Sequence, residues 1–203
     1  MVNYQSTSTK PDKKVVTIIT VFLLLNTTWL FAQTVDPELL TTHFAEAKTK
    51  VAIPLWKKEQ VSVWFFFSPE CPMCQNYAPT LKVLAETFAG KVQFIGIMPG
   101  IAYTREEIES YRKTYQIGFS LVVDSAFKVS NKIKATVTPE VFVINKNGQL
   151  AYSGAIDNWL YDLGKKRRVP TEYFLKDALA AVIAGKPVAI AKTTAKGCRI
   201  NDF

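Results

Sequence analysis

The chain has 203 residues, a formal net charge of +8 at pH 7 and 48% hydrophobic residues. This length fits one domain together with a targeting segment. Three cysteines and one histidine, His43, which lies far upstream of them, are too few to supply the four ligands of a structural zinc site. We therefore expect no metal centre and no cofactor.

Residues 1–32 have the pattern of a signal peptide. Lys10, Lys13 and Lys14 precede a mostly apolar run over residues 15–31, and the small residue Ala32 offers a cleavage point. The pattern predicts export to the periplasm or to another extracytoplasmic space. The alternative is an uncleaved leader that anchors the protein, and membrane contact is expected only in that case.

Residues 33–190 alternate between strand-like and helix-like patterns, which is typical of an α/β fold. The patterns predict, in chain order, a helix over 36–50, a strand over 61–67, a helix over 71–89, a strand over 92–98, a helix over 104–115 and a strand over 120–123. Strands over 141–144 and 149–152 flank Asn147-Gly148, which is typical of a hairpin turn. A last helix begins at Thr171 and is closed by Gly185, and residues 191–203 form a C-terminal tail.

Cys71 and Cys74 stand at the start of the helix that follows the first long apolar strand. Two cysteines three residues apart on the first turn lie on one side of a helix, close enough to form a disulfide. The first sulfur also faces the unpaired N–H groups of the helix start, which favour a thiolate. We expect Cys71 to be an exposed nucleophile, Cys74 to be a shielded resolving thiol, and the two to form a redox-active disulfide.

The cysteine pair has other chemical uses besides disulfide exchange. A covalently attached haem needs a histidine directly after the second cysteine, and this chain has Gln75 there. An inert structural disulfide stays open as an alternative. So does Cu(I) binding by Cys71, Cys74 and the thioether of Met73.

The order of these elements resembles the thioredoxin fold. Pro79 stands five residues after Cys74, where thioredoxins carry the proline that kinks the active-site helix, and Thr138-Pro139 stands where they place a cis-proline. The resemblance implies an α/β, thioredoxin-like single domain with a central mixed sheet flanked by helices. It also implies that Pro139 packs beside the dithiol and that the Thr138 backbone pairs with an incoming peptide.

Within this superfamily, the chain is similar to the exported redoxins of the alkyl hydroperoxide reductase and thiol-specific antioxidant (AhpC/TSA) group. The segments that carry the similarity are Ser68–Pro72, Thr138–Val143, Tyr152–Asp157 and Gly197–Ile200. Trp64 stands where true peroxiredoxins carry the proline of the motif that ends at their attacking cysteine. This departure weakens the prediction of a peroxidase, which stays as an alternative.

Cys198, in the tail, makes the number of cysteines odd. An odd cysteine in an exported protein is either an idle thiol or a residue with a redox partner. The second interpretation makes Cys198 a candidate third redox residue, which would resolve Cys71 or hold the tail against the domain.

These observations predict an exported enzyme, a thiol–disulfide oxidoreductase that exchanges disulfides through its Cys-Pro-Met-Cys dithiol. The alternatives are a peroxiredoxin-like thiol peroxidase and a copper-binding module without turnover. The expected partners are a protein or small-molecule disulfide and a separate redox partner that recharges the dithiol. No nucleic acid is expected, because the one dense basic cluster, Lys165–Arg168, belongs to an exported chain and is predicted to be a solvated loop.

Overall fold

Strands and helices alternate along residues 34–200, the part of the chain that this computed structural model describes. Its strands are β1 (His43–Ala45), β2 (Ala52–Pro54), β3 (Val61–Phe66), β4 (Val92–Pro99), β5 (Ser120–Asp124), β6 (Val137–Thr138), β7 (Glu140–Ile144), β8 (Leu150–Gly154), β9 (Leu160–Asp162), β10 (Lys165–Lys166) and β11 (Cys198–Arg199). Its helices are α1 (Pro37–Thr41), α2 (Pro72–Thr87), α3 (Arg105–Thr114), α4 (Lys128–Ile133) and α5 (Phe174–Ile183). The predicted signal peptide, residues 1–32, lies outside the described residues. Between residues 34 and 200, no helix has the length and apolar character needed to cross a membrane.

The central sheet has five strands in the order β5-β4-β3-β7-β8. Strand β3 runs parallel to β4, and β4 runs parallel to β5, whereas β7 is antiparallel to both β3 and β8. The central mixed sheet flanked by helices, which the sequence resemblance implied, is therefore confirmed.

Both faces of the central strand β3 are buried, which explains its uninterrupted apolar sequence. Val63 and Phe65 face the core that contains the inward side chains of α2, α3 and α5. Trp64 and Phe66 face the opposite core, which α1 and α4 help to cover. The buried Trp64 indole donates a hydrogen bond to the Leu55 carbonyl oxygen at 2.8 Å, so its polar atom has a partner.

Most predicted elements agree with the structure to within a few residues, but the predicted helix over 36–50 is wrong. The helix ends at Thr41, and His43–Ala45 instead pairs antiparallel with Ala52–Pro54. Glu46 lies beside this strand and accepts hydrogen bonds from the backbone N–H groups of Lys48, at 2.8 Å, and Thr49, at 2.7 Å. The side chain of Glu46 thus closes a turn within the segment where a helix was expected.

The basic cluster Lys165–Arg168 is exposed, as predicted, but it is not entirely the loop that the sequence indicated. Part of it forms β10, which pairs with β9. The ammonium of Lys166 lies 5.3 Å from the ring centroid of Trp159, and the guanidinium of Arg167 lies 5.0 Å from that of Tyr161. These cation–π contacts order a short hairpin that sequence patterns did not predict.

One buried hydrogen bond ties helix α2, which begins at the cysteine pair, to the segment after β8. The Tyr77 hydroxyl donates to the Asp157 carboxylate at 2.7 Å, and the same carboxylate oxygen accepts from the Trp159 N–H at 2.9 Å. Burial and the neighbouring carboxylate raise the pKa of Tyr77, so its hydroxyl stays protonated and remains a donor. Asp157 ends one of the segments that carry the family similarity, and the structure makes it a buried anchor for α2.

We expect Asp157→Ala to lower the free energy of unfolding by about 2 kcal/mol, because it leaves a buried hydroxyl and a backbone N–H without their acceptor. Tyr77→Phe added to Asp157→Ala should cost less than Tyr77→Phe alone, because its partner is already gone. Urea denaturation at equilibrium measures all three variants. Equal costs of Tyr77→Phe in the two backgrounds would show that this hydrogen bond does not couple the residues.

Candidate active site

The cysteine pair lies where the central strand β3 passes into helix α2. Cys71 is the N-cap of α2, with extended backbone angles (φ −69°, ψ 115°), and Pro72 occupies the first helical turn, where its missing N–H is not needed. The Cys71 N–H donates to the Ser68 carbonyl oxygen at 3.1 Å, and the Cys71 carbonyl accepts from Gln75 at 3.0 Å. These bonds fix the backbone of Cys71 on both sides.

Cys71 is bonded to Cys198 rather than to Cys74. The Cα atoms of the bonded residues are 6.3 Å apart, although 127 positions separate them in the sequence. The Cys71 sulfur also lies 3.2 Å from the Thr138 carbonyl oxygen. We call this state of the protein the closed form; a Cys71–Cys74 disulfide stays a prediction for another redox state.

The expectation that Cys71 is exposed is wrong for the closed form, in which only 3% of the residue is accessible. Its sulfur is bonded to Cys198 of the C-terminal tail, a contact that the sequence alone could not place, and lies against the Thr138 carbonyl oxygen. The position of Cys71 at the helix start is confirmed, and the partial positive charge of that end favours a thiolate once the disulfide is opened.

Cys74 carries a free thiol that is completely buried. Burial raises the pKa of the Cys74 thiol to about 12, and a weak contact from the Ser68 N–H at 3.5 Å opposes this effect only in part. The Tyr111 hydroxyl donates to the Cys74 carbonyl oxygen at 3.2 Å and so joins α3 to the first turn of α2. The shielding predicted for Cys74 is therefore present.

Thr138 and Pro139 lie directly beside Cys71, and their peptide bond is cis. The Glu140 carboxylate accepts a hydrogen bond from the Thr136 N–H at 2.8 Å, which holds the backbone that leads into this bond. Thr138 is 2% exposed. The cis-proline implied by the resemblance is present, and the role of Thr138 and Pro139 in substrate binding stays a prediction.

A strand of the C-terminal tail occupies the backbone edge next to Pro139. β11 pairs antiparallel with β6, so that Cys198 lies opposite Thr138 and Arg199 lies opposite Val137. The Ile200 N–H extends this pairing by donating to the Thr136 carbonyl oxygen at 3.0 Å. This is the edge at which the resemblance implied that an incoming peptide would add as a strand.

A cavity of about 480 Å³ opens beside the disulfide. Its walls come from the loop after β4, from Phe127, from the segment before α2 and from the tail strand. Across one wall, the Ser68 hydroxyl donates to the Tyr103 hydroxyl at 2.7 Å. Tyr103 and Phe127 were missed at the sequence level, because nothing local in the sequence places these two residues near Cys71.

Across positions 34–200, no three histidine, cysteine or acidic side chains cluster so as to hold a metal ion. In the closed form the Cys71 sulfur is in a disulfide, so Cys71 could join Cys74 and Met73 as a Cu(I) ligand only after that bond is opened.

Solved structures with this arrangement of strands and helices come from several bacteria. A hypothetical protein from Sinorhizobium meliloti 1021 is 22% identical with a TM-score of 0.70, over 83% of this chain and 92% of that chain. An uncharacterised conserved protein from Geobacillus kaustophilus is 18% identical with a TM-score of 0.73, over 87% of this chain and 94% of that chain. A secreted disulfide oxidoreductase of Mycobacterium tuberculosis, homologous to DsbE of E. coli, is 18% identical with a TM-score of 0.52, over 74% and 99% of the two chains.

These similarities establish the thioredoxin-like fold. A comparison with curated proteins found no match. The family model of the AhpC/TSA family matches residues 36–153, a span that runs from helix α1 to strand β8 and includes Cys71, Cys74 and Pro139. Because this span is more than half of the chain, the protein belongs to the AhpC/TSA family.

Proposed function

We propose that the protein is an extracytoplasmic thiol–disulfide oxidoreductase in which Cys71 is the nucleophile and Cys74 is the resolving thiol. One observation carries the proposal: Cys71 is in a disulfide with a cysteine whose strand pairs with Thr138 next to Pro139. A mixed disulfide with a bound peptide would have the same arrangement, with the backbone edge holding the peptide and the sulfur bonded to Cys71.

Reduction of a substrate would take two exchange steps. The Cys71 thiolate attacks a substrate disulfide, a Cys71–substrate disulfide forms, and the other substrate sulfur leaves as a thiolate that takes up a proton. The Cys74 thiol then loses its proton and attacks the Cys71 sulfur, forming the Cys71–Cys74 disulfide and releasing the second substrate sulfur. The substrate gains two electrons, the dithiol loses two, and a separate redox partner restores it; the reverse sequence oxidises a substrate.

The environments of the two sulfurs support this division of roles. Cys71 lies at the N-terminus of α2, where the helix dipole stabilises a thiolate. Cys74 is buried, and its raised pKa keeps it protonated and unreactive towards external reagents. An intramolecular attack on Cys71 does not need Cys74 to reach solvent.

The signal-peptide pattern of residues 1–32 supports an extracytoplasmic location. The structurally similar M. tuberculosis protein is described as secreted, which agrees with that pattern. An oxidising compartment also suits a protein that carries a disulfide in its closed form.

The same disulfide favours a thiol peroxidase as a second candidate. In that reaction the Cys71 thiolate attacks a peroxide, which releases water or an alcohol and leaves a sulfenic acid on Cys71. The Cys198 thiol then displaces water from this group and forms the Cys71–Cys198 disulfide. Peroxide consumption that is lost in Cys198→Ser but kept in Cys74→Ser would support this candidate.

The proposed oxidoreductase activity is tested by counting the thiolates released from dithiobis(nitrobenzoate). The starting material is reduced protein that carries Cys198→Ser, which removes the thiol of the tail. The Cys198→Ser protein should release two equivalents, because Cys74 expels the thiolate first bound to Cys71. Cys74→Ser/Cys198→Ser should release one equivalent and retain the other as a stable mixed disulfide on Cys71. The matched control Cys71→Ser/Cys198→Ser should react far more slowly, because only the buried Cys74 remains.

Two results would contradict the proposal. A fast reaction of the Cys71→Ser/Cys198→Ser control would make Cys74 the nucleophile. Release of only one equivalent by the Cys198→Ser protein would mean that Cys74 does not resolve the adduct on Cys71. With a lysate as the source of substrates, mass spectrometry of the adducts on Cys71 would identify the natural partner.

We also expect Cys74 to be alkylated very slowly in the folded protein. With a pKa of about 12, roughly one thiol in 10⁴ is ionised at pH 8, against about one in ten for the thiol in the unfolded chain. Iodoacetamide should therefore react with folded Cys71→Ser/Cys198→Ser at least about a thousandfold more slowly than in urea. The folded rate should rise about tenfold for each pH unit from 7 to 10, and a plateau near pH 9 would show an ordinary thiol.

A further inference from the structure

We propose that the tail segment Gly197–Ile200 is bound as a tethered substrate mimic, and that the substrates are extended peptides in which a glycine precedes the attacked cysteine. This inference rests on the proposed function, because it assumes that Cys71 exchanges disulfides with peptides. The tail strand has the three features of a bound peptide: antiparallel pairing with β6, a cysteine opposite Thr138, and a sulfur bonded to Cys71.

The requirement for glycine comes from a close approach of two backbones. A Cβ atom added to Gly197 would overlap the Thr138 carbonyl oxygen, and it would lie 2.6 Å from the Thr138 carbonyl carbon and 3.1 Å from the Pro139 nitrogen. The φ angle of Gly197 is not in the left-handed region, so its backbone conformation is open to other residues. The contact with Thr138 and Pro139 alone therefore excludes a side chain.

The atoms that a Cβ would meet have little freedom to move away. They are backbone atoms of β6 and of the residue after it, and Thr138 is buried. The Thr136 N–H is bonded to the Glu140 carboxylate, and β7 is paired on both sides within the central sheet. A peptide that binds in the register of β11 meets the same atoms, so the residue before its cysteine must lack a Cβ.

The tail is also held upstream of the disulfide, which makes it a tethered competitor. The Thr193 hydroxyl bonds with the Tyr152 hydroxyl at 2.6 Å and accepts from the Ala155 N–H at 2.9 Å. The Thr193 N–H donates to the Ser153 carbonyl oxygen at 2.9 Å. Only a few residues separate this attachment from Gly197, so Cys198 stays close to Cys71 after their bond opens, and a substrate has to displace residues 197–200.

Opening of the closed form needs no external reagent. The Cys74 thiol loses its proton and attacks the Cys71 sulfur, so the Cys71–Cys74 bond forms while the Cys71–Cys198 bond breaks. Cys198 leaves as a thiolate and takes up a proton, and the number of disulfides is unchanged. Residues 197–200 are then free to leave the edge of β6 to a peptide.

The first test uses the Cys74→Ser/Cys198→Ser protein after Cys71 has formed a mixed disulfide with nitrothiobenzoate. Two peptide thiols, Gly-Cys-Arg-Ile and Ala-Cys-Arg-Ile, are compared for the rate at which they displace nitrothiobenzoate from Cys71. We expect the glycine peptide to react at least tenfold faster, while both peptides react equally with free dithiobis(nitrobenzoate). Equal rates on the protein would overturn the inference. Failure of Cys71 to take up nitrothiobenzoate in the first place would instead refute the proposed function.

The second test uses the full chain with Gly197→Ala and the matched control Lys196→Ala, which changes an exposed side chain next to it. Each variant is equilibrated with mixtures of reduced and oxidised dithiothreitol, and the Cys71–Cys198 bond is quantified by differential alkylation and mass spectrometry. In Gly197→Ala the bond should open at a ratio of reduced to oxidised dithiothreitol at least tenfold lower than in the unmodified chain, whereas Lys196→Ala should be unchanged. An unchanged midpoint for Gly197→Ala would overturn the glycine requirement, and the peptide test does not depend on how this variant folds.

Discussion

The pairing of β3 with β7 determines where both parts of the candidate active site lie. Phe66, near the end of β3, is opposite Glu140, at the beginning of β7, in the antiparallel register. The chain that follows β3 leads to Cys71, and the chain that precedes β7 contains Pro139. The Cys71 sulfur and the cis-proline therefore meet at the same end of these two neighbouring strands. A slip of one residue would turn Trp64 and Phe66 towards the wrong core, and hydrophobic burial on both faces therefore holds the register.

At this point the backbone of β6 can pair with one further strand, and in the closed form β11 of the same chain occupies that position. The pairing of β11 with β6 is brief, but the disulfide holds its first residue and the hydrogen bond from the Ile200 N–H to the Thr136 carbonyl oxygen holds its far end. The hydrogen bonds of Thr193 fix the chain upstream of it. Cys71 is thereby covered, and Cys74 lies beneath it without access to solvent. In the proposed mechanism this arrangement would separate two tasks: Cys71 would bond to the substrate, and Cys74 would release it.

The sequence predicted those parts of the fold that depend on local patterns. The buried strand before Cys71, the helix that follows it and the hairpin at Asn147-Gly148 all have strong short-range signals. The prediction of a helix over 36–50 was wrong. It rested on a helical spacing of apolar residues, namely Leu39, Leu40, Phe44 and Ala47. In the structure, pairing with Ala52–Pro54 and the turn at Glu46 determine the conformation of this segment instead. Tertiary contacts of this kind override a weak local pattern.

The geometry of the candidate active site was predicted only in part for a similar reason. Cys71, Cys74, Thr138 and Pro139 belong to motifs, and their positions relative to one another follow from the fold they resemble. The contact between Cys71 and Cys198 joins residues 127 positions apart, and the periodicity of a sequence does not indicate contacts at such a separation. The nearest signal in the sequence was Gly197 directly before an unpaired cysteine, which becomes informative once the backbone of Thr138 is seen against it.

The length of the loop that this disulfide closes has a consequence for the stability of the whole domain. A cross-link over 127 residues removes conformational entropy from the unfolded chain that corresponds to about 5 kcal/mol at 25 °C in the loop-closure relation. That is comparable with the entire net stability of many domains. The bonding partner of the Cys71 sulfur would then determine both whether the site is open and how readily the chain unfolds, because only the bond to Cys198 closes this long loop. The open form would also be the form more accessible to proteases.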